Sequence, residues 1–367
     1  MSAPDLSGRG RSRFSPGHQS HVPSSSAEKE PVNPESAVCY DFRVKFDLGI
    51  LATQPVQEIV KQVQLAEALG FETVWMADSH LVCRELWVTL TACVLGTTRI
   101  KLGPGVTVPH TRHASVTASA ILTLDELAPG RIVLGLGTGG SSAQTMGLRL
   151  EQVGRVGALE TMATDIRRLT RREPIRFESG TEGTVAWLEA PRPIPLYLAG
   201  SGPRMLATAG RLGDGVMMYV GTAPAILRAG LDCVAAGAAT SGRRLDDLDV
   251  VLWTPTSISH DSAQARDHVR GRVASALRHP LPVELPPEDQ AAIQRLRESY
   301  DAFQHATADS RHRTLVPDHL VDLMALAGTP EEVRAQVERV ASVRGIDRIA
   351  ILPQVPGQGF QQREEIL

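Results

Sequence analysis

Residues 100–127, IKLGPGVTVPHTRHASVTASAILTLDEL, hold a complete strand-to-helix unit. An apolar run over 99–107 ends in glycine, proline and threonine, and Thr111-Arg112-His113 then opens a helical pattern at 112–128. The same unit recurs along the chain. Strands are expected at 45–51, 73–78, 99–107, 131–138, 195–201, 215–220, 250–259 and 346–354. Most are continuous apolar runs, as strands covered on both faces should be. Helical patterns lie between them at 54–69, 85–96, 112–128, 154–171, 203–212, 223–240, 262–278 and 330–343. The first carries Val56, Ile59, Val60, Val63, Leu65, Ala66 and Leu69 largely on one stripe and closes at Gly70. Thr329-Pro330-Glu331-Glu332 supplies a cap, a first-turn proline and first-turn acids for the last. Strand–helix alternation of this kind predicts an α/β fold, a (β/α)8 TIM barrel, in preference to an open doubly wound sheet. More chain separates the seventh and eighth strands than one helix needs. Residues 279–316, rich in Pro, Glu, Arg and His, are therefore expected to form an insertion over the barrel mouth.

Composition narrows the function. In 367 residues, Lys+Arg 38 against Asp+Glu 41 leaves a net charge of −3, without the basic footprint of a nucleic-acid or anionic-membrane binder. Hydrophobic residues at 42% and charged residues at 22% suit a chain with a large core, and no apolar run is long enough to span a bilayer. Cys39, Cys83, Cys93 and Cys233 show neither CxxC nor metal spacing, which fits a reducing, cytoplasmic setting. His305 and His312 have few acids placed to join them, so no metal site is expected. Residues 1–42 are expected to be a disordered tail: the first 38 contain nine Ser, five Pro and three Gly. The barrel domain is expected over 43–357, followed by a C-terminal tail at 358–367.

In a parallel barrel the active site lies at the C-terminal ends of the strands. Four of those ends are small, polar and glycine-rich: 75–80, 103–109, 135–142 and 198–203. Such ends suit a large flat ligand that needs close backbone approach. Gly135, Gly137 and Gly140 satisfy GxGxxG, but they follow the fourth strand and lead into no periodic helix, so a dinucleotide fingerprint is disfavoured. Gly200-Ser201-Gly202-Pro203 describes either an open helix N-terminus able to take a phosphate or an ordinary tight turn.

Together, GFETVWMADSH (70–80), residues 100–127, GRIVLGLGTGGSSAQTMGLR (130–149), LYLAGSGPRMLATAGRLGDGVMM (196–218) and LMALAGTPEEV (323–333) resemble the luciferase-like flavin-dependent oxidoreductases. The chain is most similar to the methylenetetrahydromethanopterin-reductase-like branch, many of whose members use the deazaflavin coenzyme F420. The resemblance implies that Asp78 and Ser79 meet the ring. It places a non-proline cis peptide at Gly105-Val106, behind the ring, with Thr107 beside it. Thr138, Gly139, Gly140, Ser141 and Ser142 would follow the ring edge, while Ala199, Gly200, Ser201 and Gly202 would form the phosphate turn. The chain departs from the branch at Val108, where Asn is common, and at Gly140-Ser141, where an acid precedes Ser.

His80 is the candidate catalytic acid, because histidine changes charge near neutral pH. His113 reads as a structural hydrogen-bonding residue, Trp75 as core and Asp214 as the pin of the turn before the sixth strand. Cys83 and Cys93 read as buried fillers. In the insertion, Arg295, Arg297, His305, Arg311, His312 and Arg313 interleave with Tyr300 and Phe303. They suit either an anionic or aromatic substrate or a solvated helix.

The implied activity is hydride transfer from reduced F420 to an activated C=C or C=N bond of a small molecule, compatible with secondary metabolism. An FMN-dependent monooxygenase and a cofactor-free relative are the alternatives. The expected partners are the substrate and a second copy in a homodimer, with neither nucleic acid nor membrane.

Overall fold

The computed structural model describes residues 43–148, 155–304 and 310–354. The two expected tails, Cys39 and His305 fall outside them.

Strand β1 (Lys45–Ile50) leads to α1 (Val56–Ala68), β2 (Thr73–Met76) to α2 (Leu86–Gly96), and β3 (Lys101–Pro104) to α3 (Ala114–Leu127). Strand β4 (Leu134–Leu136) is followed by α4 (Gly140–Thr145) and α5 (Arg155–Thr170), then by a small hairpin of β5 (Ile175–Arg176) and β6 (Glu182–Gly183). Next come β7 (Leu196–Gly200), α6 (Pro203–Leu212), β8 (Gly215–Met218), α7 (Pro224–Ala239), β9 (Asp249–Ile258) and α8 (Ser262–Leu277). The remainder is α9 (Pro287–Ser299), α10 (Asp318–Met324), β10 (Leu326–Gly328), α11 (Pro330–Ala341) and β11 (Arg348–Pro353).

Parallel pairing runs β3-β2-β1-β11-β9-β8-β7-β4. The bridges Leu102↔Ile132 and Thr107↔Leu136 join the two ends, so the sheet closes as a (β/α)8 barrel. All eight expected helices are present, and Thr329 and Glu332 form the reciprocal cap that starts α11.

The differences are local. The strand expected to run to Thr107 stops at Pro104, and pairing with β4 resumes only at Thr107. Within the expected insertion at 279–316, the described residues hold α9 and two 3-10 turns, with α10 and an additional strand, β10, beyond them. Strand β9 is long enough to outrun β8, whose register ends at Met218↔Leu252, and β10 pairs beyond that point at Leu326↔Thr256.

Alternation sorts the side chains of the barrel strands. On β9 and β11, Val250, Leu252, Ile349 and Ile351 pack outward in the main core beneath the helices. Val251 and Ala350 point inward, joining Trp75, Val133, Tyr197 and Met217 in a separate interior cluster. Below this cluster the barrel floor is charged. Trp75 donates its indole N–H to Asp47 at 2.8 Å, and Arg348 Nε donates to Asp249 at 2.8 Å. Tyr197 donates its hydroxyl to Asp249 at 2.8 Å, closing the lower end with polar links.

Candidate active site

Above the interior cluster the strand ends open into a cleft of about 1070 Å³, continuous with solvent. Of the residues expected from the sequence, Asp78 and Ser79 line it, as do Gly105 and Val106. So do Thr138, Gly139, Gly140, Ser141 and Ser142 from the loop into α4, and Ala199, Gly200 and Ser201 from the end of β7.

The other three expected residues do not line the cleft. Thr107 is fully buried behind the wall, where its hydroxyl donates to Asp78 at 2.7 Å. Gly202 is the N-cap of α6, one residue below the rim. His80 is exposed.

Each wall has a local cause. The Gly105–Val106 peptide is cis. A Cβ at Gly105 would lie 2.6 Å from the Trp75 Cβ and 3.2 Å from the Trp253 ring, so only glycine lets this backbone sit against both indoles. Gly139 has φ +65 and starts α4, which turns the small side chains of 140–142 toward the cleft. Ser142 donates to the Gly139 carbonyl at 3.1 Å and lies 3.0 Å from His110 Nε2, while Ser79 and Ser141 hydroxyls are 3.3 Å apart. Helix α6 begins at Gly202 with no side-chain cap and with Pro203 in its first turn. Its first N–H groups are therefore available to an anion.

Electrostatics divide the cleft. Among the described lining residues Asp78 is the sole carboxylate, and it bonds both Thr107 and Arg112. Burial pushes His110 below the usual histidine range, which favours its uncharged form. Burial also raises Cys83 to about 11, which leaves its thiol protonated.

One further wall was not expected. Arg272, Ser275 and His279 line it at i, i+3 and i+7 along α8 and just past its end, with Arg278, Tyr219 and Trp253. Arginines in a helical pattern read from sequence as solvated charges. The signal that distinguishes these is the run of small and apolar residues around Arg272, every one of which is buried from Gly271 to Leu277.

The remaining expected roles are structural. His113 caps α3 by accepting from the Ser115 N–H at 3.2 Å. Asp214 accepts from the Leu196 N–H at 2.9 Å, pinning the start of β7 beside β8. Trp75, Cys83 and Cys93 are buried in the core.

The family model described as luciferase-like monooxygenase matches residues 41–348. The 5,10-methylenetetrahydromethanopterin reductase of Methanolobus tindarius is 30% identical over 309 residues, covering 83% of this chain and 92% of that protein. The F420-dependent glucose-6-phosphate dehydrogenase of Nakamurella multipartita is 32% identical over 266 residues, 68% of this chain and 77% of its own length. Among solved structures, the coenzyme F420-dependent tetrahydromethanopterin reductase of Methanopyrus kandleri superposes with a TM-score of 0.72 at 26% identity, covering 88% of this chain and 96% of that one.

Proposed function

The chain belongs to the luciferase-like monooxygenase family of oxidoreductases, and from that membership we propose that it binds coenzyme F420 in the cleft and reduces an activated C=C or C=N bond of a small molecule. The observation that carries this reading is the cradle at Gly105, where any Cβ would clash with the Trp75 Cβ and press on the Trp253 ring. The backbone held there lines the cleft, where a planar ring would lie against it. The relatives named for F420 agree with it.

When bound in reduced form, F420 supplies the hydride. The chain supplies position and a proton. Asp78 offers a carboxylate fixed in place by Thr107 and Arg112, an acceptor at the ring edge. Ser79, Ser141 and Ser142 provide hydroxyls along that edge, and the first turn of α6 receives the phosphate beside Ser201. His80 lies outside the cleft lining, exposed next to Ser79, so as the proposed proton donor it would act on the substrate from the rim. The insertion, reaching the cleft through Tyr300 over Arg278, excludes water from the bound pair.

We place the enzyme in the cytoplasm as a homodimer. No helix among the described residues is long and apolar enough to cross a membrane. Exposed Val88 and Leu95 on α2, with Val116 on the neighbouring α3, favour a second copy as partner.

A second reading, FMN-dependent monooxygenation, is favoured by the family description itself. Absorbance titrations of the purified chain with F420 and with FMN separate the two. Tight F420 binding with weak FMN binding is expected. Tight FMN binding alone reverses the order, and binding of neither removes both readings.

A further inference from the structure

Arg272 is 4% exposed, yet one of its terminal nitrogens has no hydrogen-bond partner among the described residues. Nor does it pair with any carboxylate among them; the titratable groups that act on it or feel its charge include Tyr219, Tyr300, Cys83, Arg278 and His312. Arg278, six residues on, donates to Gln144 at 2.8 Å and lies 3.6 Å over the Tyr300 ring, while its Nε has no partner. Both arginines line the cleft, and the charge of Arg278 disfavours that of Arg272. Burying one guanidinium without an acid is costly, and burying two together is more so, unless a ligand brings the missing charge. The lining offers no such charge: Asp78 is already held by Arg112 and Thr107.

We propose that Arg272 and Arg278 form an oxyanion site on the α8 wall of the cleft, and that the substrate carries the carboxylate or phosphate that fills it. This assignment to the substrate rests on the oxidoreductase reading above. Two features separate the site from the turn at Ser201. It stands on α8, a different element from the α6 N-terminus, and it is roofed by Tyr300 of the insertion, against whose ring His312 also stacks at 4.3 Å. The F420 tail is also anionic, so the test must tell the cofactor's acid from the substrate's.

Inorganic phosphate is titrated by calorimetry into the full chain saturated with F420, at constant ionic strength, for the wild type, Arg272→Met and Arg278→Gln. Phosphate affinity is expected to fall at least tenfold in each variant, with F420 affinity within twofold of wild type. Arg272→Met should also raise the unfolding temperature in phosphate-free buffer and lose the further rise that phosphate gives the wild type. An arginine with a purely structural role would lower it instead. Unchanged phosphate affinity in both variants overturns the site. F420 affinity falling tenfold, with no phosphate binding to the loaded wild type, assigns the pair to the cofactor and overturns the substrate class. If the wild type binds neither F420 nor FMN, the proposed function fails; phosphate titrated into the free chain and the same variants still decides the oxyanion site.

Discussion

Arg112, from the loop before α3, bonds the Asp78 carboxylate at the end of β2 and holds Glu85, the N-cap of α2, at 2.7 Å. One guanidinium thus fixes a cleft carboxylate and a helix start together. The Asp78 side chain is 1% exposed and that of Arg112 16%, so solvent screens the pair little. Arg112→Met should destabilise the fold by about 3 kcal/mol, because it leaves a buried carboxylate without its cation. Denaturant midpoints check this, and Asp78→Asn in the Arg112→Met background should recover part of the loss. Equal stability of the Arg112→Met variant and wild type would remove the pairing from the account.

The barrel was legible because eight apolar runs and eight helical patterns each declared themselves within a few residues of chain. The glycine-rich strand ends were legible too, since residues that lack side chains at a strand end have few other uses. Arg112 and Arg272 were not. Nothing in the local pattern gives either a role, and what gives them one is contact across long separations: Arg112 with Asp78, Arg272 with the strand end at Tyr219. Strand β10 escaped for a related reason. Its three residues gain their partner only because β9 extends past β8, a length mismatch that no local pattern records. Gly139 hid α4, because the helix starts from a left-handed residue and is only six residues long.

Asp47 predicts a pH dependence of stability. Its carboxyl is fully buried and pushed up from 3.8 to about 6, first by burial. The Trp75 N–H bond and the Arg348 charge, 3.6 Å away, oppose that rise, while Asp249 adds to it. The folded chain therefore keeps a proton that the unfolded chain releases between pH 4 and 6. Its contribution to stability is complete below pH 4 and lost as pH rises through 6, up to about 3 kcal/mol. The difference in unfolding free energy between wild type and Asp47→Asn should shift toward the variant by that amount from pH 4 to 7. A difference that stays constant across this range means that Asp47 does not titrate there.

His80 tests the proton route. It is exposed, follows buried Ser79 and acts electrostatically on His110, which in turn meets Ser142. In single-turnover oxidation of bound reduced F420 by an α,β-unsaturated ketone, His80→Gln should slow the reaction at least tenfold. F420 affinity should stay within twofold. An unchanged rate removes His80 as donor, and a slow His110→Gln variant would then place the proton on the Ser142 side.

The most local prediction concerns the turn into α6. Ser201 lines the cleft, Gly202 caps the helix without a side-chain bond, and Pro203 occupies the first turn. A phosphate there would be held by backbone N–H groups and the helix dipole, each charge-assisted bond contributing about 1.5–3 kcal/mol. No lysine is needed. Ser201→Asp keeps a small polar residue in the turn but sets a negative charge where the phosphate would lie. Affinity for F420 should fall at least tenfold by absorbance titration. The unfolding temperature should stay near that of the wild type, because Ser201 is only partly buried and α6 has no side-chain cap to lose. If the variant binds F420 and FMN as tightly as wild type, the phosphate lies elsewhere in the cleft, and the uncapped start of α6 serves only to turn the chain.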